Sequence, residues 1–117
     1  MVEKWNAEAF QKNLRKSGIL VAAEFYTDWC PSCRTLGVIW EQVSDRAAAD
    51  GKPIVFGKIN GEEEPSLMRA YEIQSVPTLI LFADGVPVAR SVGALGKGRL
   101  TKWLEEACAK RGDLLLR

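Results

Sequence analysis

Cys30 and Cys33 sit three positions apart, between a nearly continuous apolar run, Ile19 to Tyr26, and a long helical pattern, and this junction constrains the fold more than any other feature of the chain. An apolar run that does not alternate predicts a strand buried on both faces, which requires a sheet covered by helices on each side. Its exit into a helix places the cysteines at a helix N-terminus, where unpaired backbone N–H groups and the helix dipole favour an anion. A thiolate is such an anion, and it is the nucleophilic form of cysteine. Residues i and i+3 share a helix face, so Cys33 can reach back to attack a disulfide formed at Cys30. The pattern predicts thiol–disulfide exchange.

The remaining segments alternate helix and strand. Asn6 caps a first helix running to about Lys16, with Ala9, Phe10 and Leu14 at helical spacing and Ser17-Gly18 at its end. Cys30 opens the second helix, Pro31 is tolerated in its first turn, and the pattern continues to about Ala49. Ile54 to Asn60 reads as a second strand, and Leu67 to Tyr71 as a short helix behind Pro65. Thr78 to Ala83 and Val86 to Val92 flank Asp84-Gly85, a strong hairpin signal. A last helix spans about Lys97 to Lys110 and buries Leu100, Trp103, Leu104 and Ala107, with Gly112 of Arg111-Gly112-Asp113 stopping it and Leu114-Leu115-Leu116 following. The expected architecture is α/β, a mixed central β-sheet flanked by helices on both faces, forming a single domain over residues 1–117.

A net charge of +1, from 16 Lys+Arg and 15 Asp+Glu, supplies no basis for a nucleic-acid or anionic-membrane partner. Three cysteines in a chain with 47% hydrophobic residues argue against a disulfide-stapled secreted scaffold and for a reducing compartment. Met1 to Asn6 lacks the charge-then-apolar order of a secretory signal, and no apolar stretch approaches the roughly 20 residues of a membrane span. A cytoplasmic location is expected.

In this setting the chain resembles the thioredoxin family. The likeness is carried by Ala23-Glu24-Phe25-Tyr26-Thr27-Asp28-Trp29-Cys30, by Gly57-Lys58-Ile59-Asn60, by Val76-Pro77-Thr78 and by Val92-Gly93-Ala94-Leu95, in that order. The resemblance implies the thioredoxin fold, Cys30 as attacking nucleophile, Cys33 as resolving thiol, a cis bond before Pro77 facing the dithiol, and Trp29 beside it. It further implies a protein-disulfide reductase with no bound cofactor beyond the redox-active disulfide Cys30–Cys33. Disulfide-containing proteins would be its substrates, a flavin-dependent thioredoxin reductase or equivalent would re-reduce it, and it would act as a monomer. Three positions depart from the family pattern: Pro31-Ser32 stands where Gly-Pro is usual, Glu24 where the buried acid is usually Asp, and Gly37-Val38 where a proline would bend the second helix.

Rival readings attach to particular residues. A Cys-X-X-Cys pair also suits zinc, but zinc normally takes four Cys/His ligands, and this chain has no histidine and only Cys108 besides the pair. An iron–sulfur cluster shared across a dimer is a further alternative. Glu24, inside an apolar strand, should have a raised pKa and can exchange a proton with Cys33, while Lys58 either ion-pairs with it structurally or tunes it. The Val76 backbone before Pro77 can take an extended substrate as an added strand, with Trp29, Gly93 and Ala94 completing an apolar collar. Pro31 and Ser32 would tune the redox couple, Asp28 either caps the helix or is solvated, and Cys108 reads as an incidental half-buried cysteine. Two other functions fit the same chain: an oxidase or isomerase in an oxidising compartment, and a redox-independent peptide-binding module whose activity would survive replacement of both Cys30 and Cys33 by Ser.

Overall fold

The computed structural model describes residues 1–115, with side chains described through residue 109. The elements run β1 (Glu3–Lys4), α1 (Ala7–Leu14), β2 (Leu20–Tyr26), α2 (Pro31–Ala49), β3 (Ile54–Asn60), α3 (Pro65–Ala70), β4 (Thr78–Ala83), β5 (Val86–Val92) and α4 (Lys97–Leu115). They build one sheet of order β1-β3-β2-β4-β5, parallel from β1 through β2 and antiparallel from β2 through β5.

The apolar run of β2 places it at the centre. Its alternating side chains feed two clusters, as the two-residue strand period requires. Leu20 and Ala22 meet Leu36, Trp40 and Val43 of α2 and Leu100, Leu104 and Ala107 of α4. Val21, Ala23 and Phe25 meet Phe10 and Leu14 of α1 and Leu67 of α3 on the opposite face. The mixed sheet with helices on both faces follows from this double burial. Trp103 is half-buried at the edge of the first cluster.

Several boundaries differ from expectation. β1, a two-residue strand pairing Glu3 with Gly57 and Lys4 with Lys58, is too short to carry a period and leaves no signal in the sequence. α1 ends at Leu14, with Arg15 as its C-cap, rather than at Lys16. α3 starts at Pro65, since a proline is accommodated at the first helical position. Gly112 does not stop the last helix, which continues to Leu115. A single glycine in a helix costs about 1 kcal/mol relative to alanine, too little to end it unaided. Arg111-Gly112-Asp113 therefore lies within α4, and the packing of Leu114-Leu115-Leu116 lies outside the described side chains.

Gly57 couples the two faces. Its carbonyl accepts a 3.1 Å hydrogen bond from Trp40 Nε1 of α2, while a Cβ at this position would overlap the Trp5 indole. Gly37, by contrast, lies within α2, and a Cβ there would meet nothing within 4 Å, so its missing side chain serves no close contact. Urea titration should therefore separate the two: Gly57→Ala loses about 1–3 kcal/mol through overpacking, whereas Gly37→Ala gains about 0.5–1 kcal/mol from helix propensity. A gain at residue 57 or a loss at residue 37 would contradict this assignment.

Candidate active site

Cys30 occupies the N-cap of α2, in extended conformation, and Pro31 begins the helix. The cysteine is thus the residue before the helix rather than part of its first turn. Its Sγ accepts the Cys33 backbone N–H at 3.2 Å, the bond expected of an N-cap side chain. The two cysteines are joined by a disulfide with a Cα–Cα separation of 5.2 Å. The Ser32 hydroxyl lies 3.3 Å from Cys30 Sγ, and the Val76 carbonyl oxygen lies 3.8 Å from it. The Val76–Pro77 bond is cis, as the resemblance implies. Both sulfur-bearing residues are 4% exposed, whereas the adjoining Trp29 is 66% exposed.

Beyond the dithiol, the Gly93 N–H donates to the Pro77 carbonyl at 2.8 Å, which ties the end of β5 to the cis-proline turn. Gly93 has φ of +95°, a conformation that side chains disfavour. Val76 and Gly93 are half-buried and Ala94 is exposed. Asp28 does not cap α2, because Cys30 holds that position; its side chain is exposed and its carbonyl accepts Arg34 Nη2 at 3.0 Å. Sequence reasoning misses that arginine contact, although the place of Arg34 beside Cys33 is a signal for it. Cys108 is half-buried against the α2/α4 cluster, and burial pushes its thiol pKa up, opposed by Lys52.

Glu24 is buried in β2 on the α2-facing side and lines a groove of about 610 Å³ shared with Cys33, Tyr26, Gly37, Val38 and Lys58. Burial pushes its carboxyl up to about 7, and the positive charge of Lys58 opposes that rise. In the parallel register Lys58 stands directly opposite Glu24. The structural ion pair that the sequence allows is nonetheless absent: among the described residues Lys58 lies within 4.0 Å of no carboxylate, and its Nζ sits 5.4 Å from the Tyr26 ring centroid. Sequence reasoning also misses Tyr26 as a site residue, although its spacing of two from Glu24 along a strand places both on one face.

Comparison with known proteins bears on this geometry. A family model described as Thioredoxin matches residues 1–106. The chain is 38% identical over 106 residues to the thioredoxin of Chlamydia pneumoniae, spanning 91% of this chain and 98% of that relative. It is 33% identical over 98 residues to the thioredoxin of Mycobacterium tuberculosis, covering 84% and 82% respectively. With the thioredoxin of Buchnera aphidicola the identity is 33% over 97 residues, covering 83% and 87%.

The raised Glu24 pKa has a definite sign in stability. The folded state holds this proton more tightly than the unfolded chain, so the stabilisation is fully present below pH 4.5 and is lost as pH rises to about 7. A displacement from 4.5 to about 7 corresponds to about 3 kcal/mol, taken as an upper bound. Glu24→Gln should match the wild type in urea at pH 4 and exceed it at pH 8, both measured on the oxidised protein. Equal stability at pH 8 would show that the carboxylate is not destabilised by its surroundings.

Proposed function

The chain belongs to the thioredoxin family and is a thiol–disulfide oxidoreductase with the α/β thioredoxin fold, and on that premise we propose that it works as a protein-disulfide reductase through Cys30 and Cys33. The observation that carries this direction of roles is the N-cap position of Cys30, one turn ahead of Cys33. The helix end favours the Cys30 thiolate. That thiolate attacks one sulfur of a substrate disulfide, forming a mixed disulfide and expelling the other substrate sulfur as a thiolate. Cys33 then gives its proton to Glu24 and attacks Cys30 Sγ. The substrate sulfur bonded to Cys30 leaves as the second thiolate and the Cys30–Cys33 disulfide remains, so two electrons have passed to the substrate.

Glu24 suits the proton step because its pKa of about 7 allows it to be ionised or protonated near neutral pH. Lys58 adjusts that balance through its charge. A substrate segment would lie extended against the Val76 backbone, beside Pro77, with Trp29, Gly93 and Ala94 as its apolar surround. Electrons return from an external flavin-dependent thioredoxin reductase or an equivalent, with no cofactor bound by this chain. Work as a monomer in a reducing cytoplasm completes the reading; no helix among the described residues is long and apolar enough to cross a membrane.

Pro31-Ser32 gives this reductase its own potential. The Ser32 hydroxyl at 3.3 Å can donate to a Cys30 thiolate more strongly than to a disulfide sulfur, which stabilises the reduced form. A more stable reduced form makes a weaker reductant.

Two measurements test these assignments. Alkylation of the reduced protein near neutral pH should label Cys30 before Cys33, and Cys33→Ser should accumulate mixed disulfides with protein partners; preferential labelling of Cys33 would reverse the roles. Against a glutathione redox series, Ser32→Pro should be more reducing than the wild type, on a scale where about 30 mV corresponds to 1.4 kcal/mol. An equal or higher potential for the variant would remove Ser32 from the account.

A further inference from the structure

Lys58 leaves β3 directly opposite Glu24, so its stem starts beside the carboxyl that its charge affects. Its ammonium nonetheless rests 5.4 Å from the centroid of the Tyr26 ring. Tyr26 is two residues beyond Glu24 on β2, and all three line the groove that reaches Cys33. A lysine at this place can settle on the carboxylate or over the aromatic face, whose negative quadrupole attracts a cation. It takes the ring.

We propose that Tyr26 is a positioning residue for the proton transfer at Glu24: its ring face holds the Lys58 ammonium off the carboxyl, which leaves Glu24 free to gain and lose a proton. An ammonium seated directly on the carboxylate would hold it ionised. This inference rests on the reading of Glu24 as the proton acceptor for Cys33.

The other charges around the groove do not replace Lys58. Lys4 of β1 is paired with Glu63 at 2.8 Å, in the turn after β3. Arg34 of α2 directs its guanidinium to the Asp28 carbonyl in the β2–α2 loop. Asp28 of the β2–α2 loop and Glu41 and Asp45 of α2 are acidic residues at the groove wall, and Glu41 accepts the Val2 N–H at 3.0 Å. Among these groups, Lys58 is the cation that acts on Glu24.

Ring electronics can be varied while shape is nearly kept. Tyr26→Phe preserves the aromatic face, and increasingly fluorinated phenylalanines at residue 26 drain it of negative charge. Titration of Glu24 followed by carboxyl carbon NMR should show Tyr26→Phe within a few tenths of a pH unit of wild type. The midpoint should fall stepwise with fluorination, and by about one unit in Tyr26→Leu, a tenfold change in the ionisation constant. In a Lys58→Met background these substitutions should leave the midpoint where it is, because the cation they release is gone. An unmoved midpoint across the fluorinated series, or a fall that persists without Lys58, overturns the proposal. The proton role of Glu24 is read separately, from the rate of mixed-disulfide resolution in Glu24→Gln. If that rate equals wild type while the midpoint still follows the ring, the relay fails and the hold of Tyr26 on Lys58 stands.

Discussion

Strand β2 is hydrogen-bonded along both edges, to β3 and β4, and covered on both faces by helices. Its backbone groups are thereby satisfied within the sheet, and its side chains are removed from water over six consecutive residues, Leu20 to Phe25. Five of those six are apolar and gain from that removal. The sixth, Glu24, is desolvated by the same burial. What makes the sheet stable therefore also raises the pKa of the Glu24 carboxyl in its interior, and the strand's exit at Tyr26 delivers the chain to the start of α2, where the dithiol begins.

The two ends of the proposed chemistry rest on different physics. Cys30 draws on a backbone feature, the open N–H groups at the head of a helix, which would act on any anion placed there. Glu24 draws on solvent exclusion, moderated by a lysine whose position is shared with an aromatic ring. Helix α2 joins them, because Cys33 sits on the helix and also faces the groove floored by Glu24. Cys33 and Glu24 thus line one groove, while Cys30 stands outside it at the head of the helix.

Much of this is legible in the sequence. The hairpin at Asp84-Gly85 is specified by residues that tolerate positive φ, and both adopt it, at +52° and +79°. β4 and β5 accordingly have the bounds their patterns indicate. The dithiol, Glu24 and the cis bond before Pro77 are also readable, the first two from residue pattern and the third from family resemblance. Less legible are features that depend on register. β1 is defined only by its pairing with β3, and the seat of Lys58 over Tyr26 requires knowing that residue 58 lies opposite residue 24. The helical run through Gly112 shows the converse, a strong local signal overridden because its energetic cost is small against the helix that surrounds it.

The contact of Gly57 with two indoles has a bearing on how this chain can change. Trp5 closes one side of that glycine from the α1/α3 layer, and Trp40 reaches its carbonyl from the α2 layer. Residues 5 and 57 therefore vary as a pair, since a side chain at 57 fits without overpacking only where the indole at 5 has become something smaller, whereas Trp40 binds a backbone carbonyl that any residue at 57 would offer. Because Lys58 is the next residue along β3, the ladder that sets Gly57 opposite Ala23 also sets the lysine opposite Glu24, so the tight seat of the glycine and the placing of the cation belong to one register.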